Sequence, residues 1–337
     1  MNAYSPDLDE LRETIDDQLV TFLEHIATEV EGSEQLLDEI TTLLRAGGKR
    51  FRPAFCYWGY RAAGGIHSEE IVKVSAALEL LHTFALVHDD IMDASEERRG
   101  LPTVHVRLGV GTALLVGDLA LVLADDLFMR SGFGAQALSR AFESYSRMRK
   151  QVIVGQHMEL GLTGRTQVDE DEIRLVARMK SGRYSIKEPL LIGASLGSES
   201  ARVNPFLNEF GEVLGEAFQI RDDLLGTFGH REEVGKPVDS DIREGKKNIL
   251  FARTVGLVEG SDKEFFVSHW GGGQDLSDED IERIKALMVT SGGQAAAEHL
   301  LEELNGKAMD ALEGIDLDSE ARAALTALAI RATSRSS

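Results

Sequence analysis

Cysteine and proline are scarce in this sequence, and each scarcity excludes a class of structure. The 337 residues include one cysteine, Cys56, so no intrachain disulfide can form. We expect Cys56 to be a small buried side chain in a protein of the reducing cytoplasm. Only six prolines interrupt the chain, and no segment alternates β-branched with polar residues as a half-buried strand does. The sequence therefore predicts helices rather than sheets.

Positive charge is also in short supply. The chain has 36 Lys and Arg residues against 57 Asp and Glu residues, which gives a net charge of −21. This balance disfavours nucleic acids and anionic membranes as partners. The first ten residues, MNAYSPDLDE, lack the apolar core of a signal peptide. The longest apolar stretch, 113–124, is interrupted by Asp118, so we predict no membrane span.

The sequence lacks a Pro-, Gly- or Ser-rich linker that would divide it into domains. Hydrophobic residues make up 43% of the chain, and they recur with helical spacing between short turns that contain glycine. We predict one all-α domain over residues 1–337, folded as a single large helical bundle around a central cavity. The tail at 331–337 is expected to be frayed.

The chain does contain an apolar stretch at 68–99 that ends in acid, and the rest of the sequence is arranged around it. Ser68 and the two glutamates after it are typical of a helix start. An apolar face then recurs at Ile71, Val74, Leu78, Leu81 and Ala85. Asp89 and Asp93 continue this face one turn apart, beside Asp90. Three carboxylates at a helix C-terminus oppose the helix dipole and one another, so they need a cation.

A second amphipathic segment also ends in paired acids. Asn204 is predicted to cap it and Pro205 to occupy its first position, and the segment ends at Asp222 and Asp223. Two such helices facing each other would hold a divalent ion between hard oxygen ligands, and magnesium is the ion usually shared with substrate phosphates. A solvated acidic helix end is the alternative, and the apolar run before Asp89 argues against it.

Six motifs, in this order, resemble those of the trans-isoprenyl diphosphate synthases, or polyprenyl synthetases. They are GGKRFRP at 47–53, LVHDDIMD at 86–93 with RRG at 98–100, GQHMEL at 155–160, KSG at 180–182, FQIRDDLLG at 218–226, and GKPVDSDIREGKKNIL at 235–250. The resemblance spans most of the chain and implies the all-α isoprenoid synthase fold, several magnesium ions and a homodimer.

The resemblance assigns roles to the basic motifs. On their own, GGKRFRP also suits a charge-balancing turn, KSG an interhelical kink, and the segment 235–250 a solvated loop. It implies that isopentenyl diphosphate is held by Lys49, Arg52, His82 and Arg99. The allylic diphosphate would contact Arg98, Lys180 and Ser181, with Gln219 on the second acidic helix. Lys236 and Lys246 would close over a bound diphosphate as a mobile lid.

The resemblance also assigns the metal ligands and marks two departures from the family. Asp89, Asp93 and Asp222 would bind magnesium, and with Arg98 and Lys180 they form the predicted catalytic set. Gln156 would line the cleft, although the family usually has Asp where this chain has Glu159. The family also commonly has a third aspartate where Gly226 stands. Because the first motif is complete, we expect metal binding to survive and Gly226→Asp to be tolerated.

The implied reaction is head-to-tail prenyl transfer from an allylic diphosphate (dimethylallyl, geranyl or farnesyl) to isopentenyl diphosphate. Phe84, five positions before the first aspartate, and the small Ala85 resemble the pattern of short-chain geranylgeranyl diphosphate synthases. The expected product is therefore C20. Alternatives are a farnesyl or longer-chain synthase, a class I terpene cyclase, which needs no second diphosphate site, and a non-catalytic regulatory subunit.

Overall fold

The computed structural model describes residues 6–229 and 239–334, and the fold in these ranges is almost wholly helical. Sixteen α-helices are described: α1 Leu8–Glu29, α2 Glu34–Arg45, α3 Phe51–Ala62, α4 Glu69–Met92, α5 Val104–Leu108, α6 Val110–Met129, α7 Ala135–Leu162, α8 Glu170–Ala177, α9 Glu188–Leu196, α10 Ser200–Phe228, α11 Ser240–Glu244, α12 Ile249–Leu257, α13 Gly260–His269, α14 Asp278–Thr290, α15 Gly293–Glu313 and α16 Ser319–Thr333. A π-helix, Arg178–Lys187, joins α8 to α9, and Gly273–Asp275 forms a 3₁₀ turn. The prediction of an all-α fold is confirmed.

The chain contacts divide the molecule into two compact units. The first contains the described residues up to Tyr145, together with Pro189–Leu207 and Asp316–Leu328. The second contains Ser146–Glu188, Asn208–Ile315 and the described residues from Ala329 on. The single domain over 1–337 stays a prediction.

The first unit is built around α4. This helix packs against α6, α3 and α1, and it is buried on most of its circumference rather than on one stripe. Ile71, Val74, Leu78 and Leu81 are fully buried as predicted, while Ala85 is half-buried. The length and composition of α4 would suffice to cross a membrane, but 67% of its most apolar window is buried inside the protein, as in a core helix.

The second unit has its own apolar core. Residues of α8, α10, α12, α13, α14 and α15 contribute to it. Its aromatic centre is a triad in which the ring centroid of Phe251 lies 5.8 Å from that of Phe266 and 5.2 Å from that of Trp270. This core positions α10, the helix that carries Asp222 and Asp223.

Several helix ends differ from the sequence prediction. Ser68 is the N-cap of α4, but its side chain makes no capping hydrogen bond and bonds the Glu70 carboxylate instead. The predicted start of α10 at Pro205 is wrong, because the helix begins at Ser200 and includes Pro205. A proline this near the N-terminus removes only one intrahelical hydrogen bond. The Asn204 side chain, freed from capping, donates to Ser195 Oγ at 3.3 Å.

The C-terminal segment also departs from expectation. Helix α16 continues to Thr333, three residues into the segment predicted to be frayed. Beyond it, the carbonyl of Ser334 accepts a hydrogen bond from Arg221 Nε at 2.8 Å. This contact attaches the last described residue to Arg221, which belongs to the same unit.

Candidate active site

The acidic end of α4 has one buried carboxylate and two more accessible ones. Asp89 and Asp93 are half-buried, and Asp93 is the C-cap of the helix. Asp90 is buried and accepts hydrogen bonds from Arg98, with Nε at 2.7 Å and Nη2 at 2.6 Å from its Oδ1. Burial raises the pKa of Asp90, although Arg98 acts in the opposite direction. Asp90 therefore serves as the anion that fixes Arg98 beside Asp89, whose Oδ2 lies 3.9 Å from Arg98 Nη2.

A two-residue hairpin presents the two arginines that follow the acids. Strands β1, Glu97–Arg98, and β2, Leu101–Pro102, pair antiparallel with Arg98 opposite Leu101. The loop residues Arg99 and Gly100 have φ angles of 54° and 78°. Positive φ at both loop positions is typical of the tight hairpin turn that matches the strand twist. The turn separates the two side chains, so Arg98 reaches Asp90 while Arg99 points back to the end of α2.

The glycine-rich turn before α3 gathers further cations. Arg99 Nη1 donates to the carbonyls of Leu43, at 3.2 Å, and of Gly47. Lys49 is exposed, with its Nζ 6.0 Å from the centroid of the Phe51 ring. Five basic residues lie in this basic cluster, within the first unit: Lys49, Arg50, Arg52, Arg98 and Arg99.

His82 lies among these cations, in desolvated surroundings that favour the neutral imidazole. Desolvation lowers the pKa of His82 well below its ordinary value, and the charges of Arg52, Arg99, Arg98 and Arg50 lower it further. A neutral imidazole can donate one hydrogen bond to a substrate oxygen without adding a charge. The structure thus brings the predicted residue His82 into the electrostatic field of Arg52 and Arg99.

In the second unit, the two acids of α10 differ in the same way as those of α4. Asp222 is exposed, whereas Asp223 is buried. Asp223 accepts hydrogen bonds from Gln219 Nε2 at 2.7 Å and from the backbone N–H of Ile249 at 3.4 Å. Desolvation and then the charge of Asp241 raise the pKa of Asp223 well above its ordinary value. The amide of Gln219, predicted to contact substrate, is therefore engaged with Asp223.

The predicted lysine of the KSG motif lies in the π-helix. Lys180 Nζ donates to a carboxylate oxygen of Glu159 on α7, and Ser181 beside it is half-buried. The helices approach closely here, because a Cβ on Gly155 would lie 2.6 Å from the backbone nitrogen of Lys180. A π-helical insertion inside an α-helix often marks a functional position.

Two glutamates of α10 hold the π-helix in place. Glu212 accepts hydrogen bonds from Arg183 Nη2 at 2.6 Å and from Lys187 Nζ at 2.8 Å. Glu216 is buried and accepts from Arg178 Nη1 at 3.3 Å, and also from Arg174 Nε at the end of α8 at 2.5 Å. The backbone of Gly182 also meets α10 directly, since a Cβ there would lie 2.6 Å from Gly215. These contacts fix the orientation in which Lys180 and Ser181 are presented.

The remaining predicted site residues that the structure describes do not share one set of contacts. Lys246 forms an ion pair with Glu244, with Nζ 2.9 Å from Oε2, and Lys236 lies outside the described residues. Gln156 is buried, and its Nε2 has no hydrogen-bond partner among the described residues. Phe84 is half-buried, with its ring centroid 4.8 Å from that of His88 in an edge-to-face contact.

Sequence reasoning missed two acids that contribute to these groups. Glu79 is buried in α4 and accepts a hydrogen bond from Arg50 at 2.7 Å. The sequence feature that could have identified Glu79 is its position as the one acid in the apolar stretch AALELL, three residues before His82. Asp241 lies so close to α10 that a Cβ on Gly226 would be 3.2 Å from its Oδ2. No spacing rule links positions 226 and 241, so this proximity needed the fold.

The donor set at the end of α4 fits magnesium. Asp89 and Asp93 offer hard oxygen donors at an accessible helix end, and Asp90 is occupied by Arg98. Magnesium prefers one or two carboxylates together with water and phosphate oxygens. The neighbouring basic cluster contains guanidinium groups, which are of the kind that bind phosphate in two-point contacts.

Comparison with known proteins agrees with this chemistry. The family model for polyprenyl synthetases matches residues 33–288. The chain is 34% identical over 281 residues to a geranylgeranyl diphosphate synthase from Sulfolobus acidocaldarius, covering 82% of this chain and 84% of that protein. It is also 33% identical to a geranylfarnesyl diphosphate synthase from Aeropyrum pernix, covering 85% of this chain and 90% of that protein.

A solved structure shares the fold closely. It is a geranylgeranyl pyrophosphate synthase from Corynebacterium glutamicum complexed with isoprenyl diphosphate and magnesium, and it matches this chain with a TM-score of 0.92. The sequence identity is 33%, and the match covers 98% of this chain and 100% of that one.

The lowered pKa of His82 predicts a specific pH dependence of stability. Below the ordinary value of 6.5 the unfolded chain binds a proton at His82 that the folded protein excludes. The free energy of unfolding should therefore fall as the pH drops, by up to about 1.4 kcal/mol per pH unit for this group. His82→Gln removes this contribution, so urea unfolding at pH 7.5 and 5.5 should show the wild type losing more stability than the variant.

The exposed His157 provides a matched control for this measurement. His157→Gln should retain the pH dependence of the wild type. An identical loss of stability in the wild type and in His82→Gln would show that His82 titrates normally in the folded protein.

Proposed function

This chain belongs to the polyprenyl synthetase family, and from that premise we propose that it is a magnesium-dependent prenyltransferase that condenses isopentenyl diphosphate head-to-tail with an allylic diphosphate. The observation that carries the proposal is the arrangement of the first unit. There, the accessible carboxylates Asp89 and Asp93 end a buried helix beside the basic cluster. Such a pair of sites suits a reaction in which one diphosphate departs while another is retained.

The isopentenyl diphosphate site is assigned to Lys49, Arg52, His82 and Arg99. Support comes from the charges of Arg52 and Arg99, which both act on His82. Guanidinium groups bind diphosphate oxygens in two-point contacts, and a neutral imidazole adds a directed hydrogen bond. This second anion site distinguishes a synthase from a terpene cyclase, which binds only one diphosphate.

The allylic diphosphate is assigned to Arg98, Lys180 and Ser181, with Gln219, Lys236 and Lys246 as further contacts. Arg98 is fixed by Asp90, so its guanidinium is preorganised. Lys180 is held by Glu159, so substrate has to compete with this carboxylate for the ammonium group. Gln219 would act through its link to Asp223, which orders the acidic end of α10.

Asp89, Asp93 and Asp222 are the proposed magnesium ligands, and their accessible carboxylates support that role. Bound magnesium would neutralise the charge that develops on the departing pyrophosphate. Arg98 and Lys180 would bind the same leaving group and stabilise it as the allylic carbon–oxygen bond breaks.

The chain's own residues then control the bond-forming step. Breaking the carbon–oxygen bond leaves an allylic cation, and the double bond of isopentenyl diphosphate supplies the electron pair for the new carbon–carbon bond. The contacts of Lys49, Arg52 and Arg99 to the retained diphosphate would hold that double bond near the cation. Loss of a proton to the released pyrophosphate then restores an allylic product.

The proposed product is geranylgeranyl diphosphate. The similarity to geranylgeranyl diphosphate synthases and the aromatic Phe84 five residues before Asp89 support a C20 product. Farnesyl diphosphate and longer products are the alternatives, because relatives of similar identity are named farnesyl and geranylfarnesyl diphosphate synthases. The cytoplasmic location stays a prediction.

Removing the metal ligands should abolish the reaction. Asp89→Ala and Asp93→Ala are each expected to lower kcat on the order of 10³-fold, because about 4 kcal/mol of leaving-group stabilisation is lost. The measurement is product formation from isopentenyl and allylic diphosphates with magnesium, read by chromatography. The control is Asp126→Ala, which removes a half-buried acid paired with Arg130 at 2.7 Å and should keep wild-type activity. Near-native turnover in EDTA would refute the metal assignment, and an inactive wild type would favour a regulatory subunit.

Product length should respond to the residues before the first aspartate. Phe84→Ala removes an aromatic ring and should open at least one five-carbon unit of depth, shifting products beyond C20. Ala85→Phe adds bulk about 6 Å from Asp89 along the helix and should shorten products towards C15. The exposed Phe206 provides the control, as Phe206→Ala should leave product length unchanged. An unchanged distribution in an active Phe84→Ala enzyme would assign the length determinant elsewhere.

A homodimer is the proposed assembly, supported by an exposed apolar face on α5 and α6. Large aliphatic side chains that are 42–62% exposed lie along it: Val106, Val110, Leu114, Leu115 and Val122. An apolar patch of this extent on a monomer usually marks a protein interface. Light scattering should give twice the chain mass of 36.9 kDa, and Val122→Glu should shift the mass towards one chain. Val289→Glu, an exposed aliphatic position on α14, should not. A single-chain mass for the wild type would contradict the proposal.

A further inference from the structure

An acidic side chain lies in the middle of α4, among the buried residues of the first unit. The side chain of Glu79 is 4% exposed, and its neighbours Leu78, Leu80 and Leu81 are fully buried. A carboxylate in such surroundings is unfavourable unless a cation compensates it with good hydrogen-bond geometry. Its partner therefore indicates why the acid is present.

That partner is Arg50, which lies at the centre of the turn GGKRFRP. Arg50 Nη1 donates to Glu79 Oε1 at 2.7 Å, Nε to Asp16 Oδ1 at 2.8 Å, and Nη2 to the carbonyl of Leu44 at 2.7 Å. All three nitrogens of the guanidinium thus have acceptors within the protein. Arg50 differs in this respect from the exposed Lys49 beside it, and its contacts make it a structural link between α1, α2 and α4.

The backbone conformation of Arg50 connects these side-chain contacts to the placement of Lys49 and Arg52. Arg50 has a φ of 49°, in the left-handed region that a non-glycine residue adopts at a cost. Arg50 is also the N-cap of α3. Its backbone conformation therefore sets the orientation of Lys49, just before the helix, relative to Arg52, in the first turn of the helix. The contacts of the Arg50 side chain to Glu79 and Asp16 hold this conformation.

The influence of Glu79 extends to Arg99. A Cβ on Gly48 would lie 2.9 Å from Arg50 Nη1 and 3.3 Å from Arg99 Nη2, so both guanidiniums lie against the same glycine. Desolvation lowers the pKa of Arg99, and the charge of Glu79 is the largest opposing influence. The charge of Glu79 thus acts on both Arg50 and Arg99.

We propose that Glu79 is a positioning residue for isopentenyl diphosphate, which acts by holding Arg50 and the turn 47–53 so that Lys49, Arg52 and Arg99 converge on the substrate. The inference rests on the proposed function of the chain. Glu79 does not touch the substrate, because its carboxylate is buried against Arg50.

The direction in which the KM for isopentenyl diphosphate changes when Glu79 is removed distinguishes a positioning role from a purely electrostatic one. If Glu79 acted only as a negative charge near the site, its removal would strengthen binding of an anionic substrate. If it positions the turn, its removal weakens binding, because displacement of the cations outweighs the gain in positive charge. The two accounts predict opposite changes in the KM for isopentenyl diphosphate.

The test is Glu79→Gln, which keeps the shape of the side chain and removes its charge. The KM for isopentenyl diphosphate should rise on the order of tenfold, while kcat and the KM for the allylic substrate stay within about twofold. The double variant Arg50→Gln/Glu79→Gln should be no worse than either single variant, since both act through one contact. Glu79→Asp, which keeps the charge but is too short to keep the 2.7 Å contact, should give an intermediate rise and is used if Glu79→Gln does not fold.

The matched control is Glu39→Gln. Glu39 is a buried acid of α2, eight residues before the turn, and it pairs with Arg107, which is not a residue of the basic cluster. This variant should lose thermal stability as Glu79→Gln does, yet keep both KM values. It therefore reports what loss of a buried ion pair does without any effect on positioning.

Calorimetric titration of isopentenyl diphosphate provides a second measurement. This titration tests Glu79 even if the wild type binds isopentenyl diphosphate without turning it over. In that case the proposed reaction is wrong, and the positioning role of Glu79 is judged from the Kd. An unchanged or lower KM and Kd in folded Glu79→Gln would overturn the positioning role. An equal loss in kcat and in both KM values would also overturn it, as would the same KM change in Glu39→Gln. A wild type that neither binds nor reacts would overturn the proposed function together with this inference.

Discussion

The structure of the first unit depends on the compensation of charge within a buried helix. Helix α4 is apolar on most of its surface, yet it carries Glu79, His82 and Asp90 into the first unit. Burial of each of these groups is unfavourable unless its charge is compensated by a partner or removed by a change of protonation. Arg50 compensates Glu79, Arg98 compensates Asp90, and His82 gives up its proton. The hairpin and the glycine-rich turn are the parts of the chain that deliver these arginines, so the local backbone follows from the charges of α4.

A shared arrangement in the two acidic motifs follows from the same constraint. In each motif the second aspartate is buried and bonded, Asp90 to Arg98 and Asp223 to Gln219 and Ile249. The first aspartate of each motif, Asp89 or Asp222, is more accessible. An adjacent pair on a helix points about 100° apart, so one acid can anchor the helix end while the other faces a ligand. The doubled aspartate therefore combines a structural and a binding role in two neighbouring residues.

Much of this could be predicted from the sequence, because helical periodicity and motif order depend on local spacing. The buried face of α4 and the accessible acids Asp89 and Asp93 follow from positions alone. The remainder depends on tertiary contacts. Pro205 signals a helix start, yet α10 begins earlier at Ser200, because a proline this near the N-terminus removes only one intrahelical hydrogen bond. Glu79 was overlooked because a single acid in an apolar helix has no periodic signal, and its role appears only once Arg50 is placed beside it.

The departure of the second motif from the family pattern has a physical explanation in the fold. An aspartate at position 226 would place its Cβ 3.2 Å from Asp241 Oδ2, and its carboxylate would join two others that already repel, since Asp241 raises the pKa of Asp223. Like charges at such distances cannot all stay ionised without a cation. Glycine at 226 leaves room for Asp241 and avoids a further negative charge. The acid that the motif lacks in sequence is thus matched by Asp241, which α11 brings to the same place.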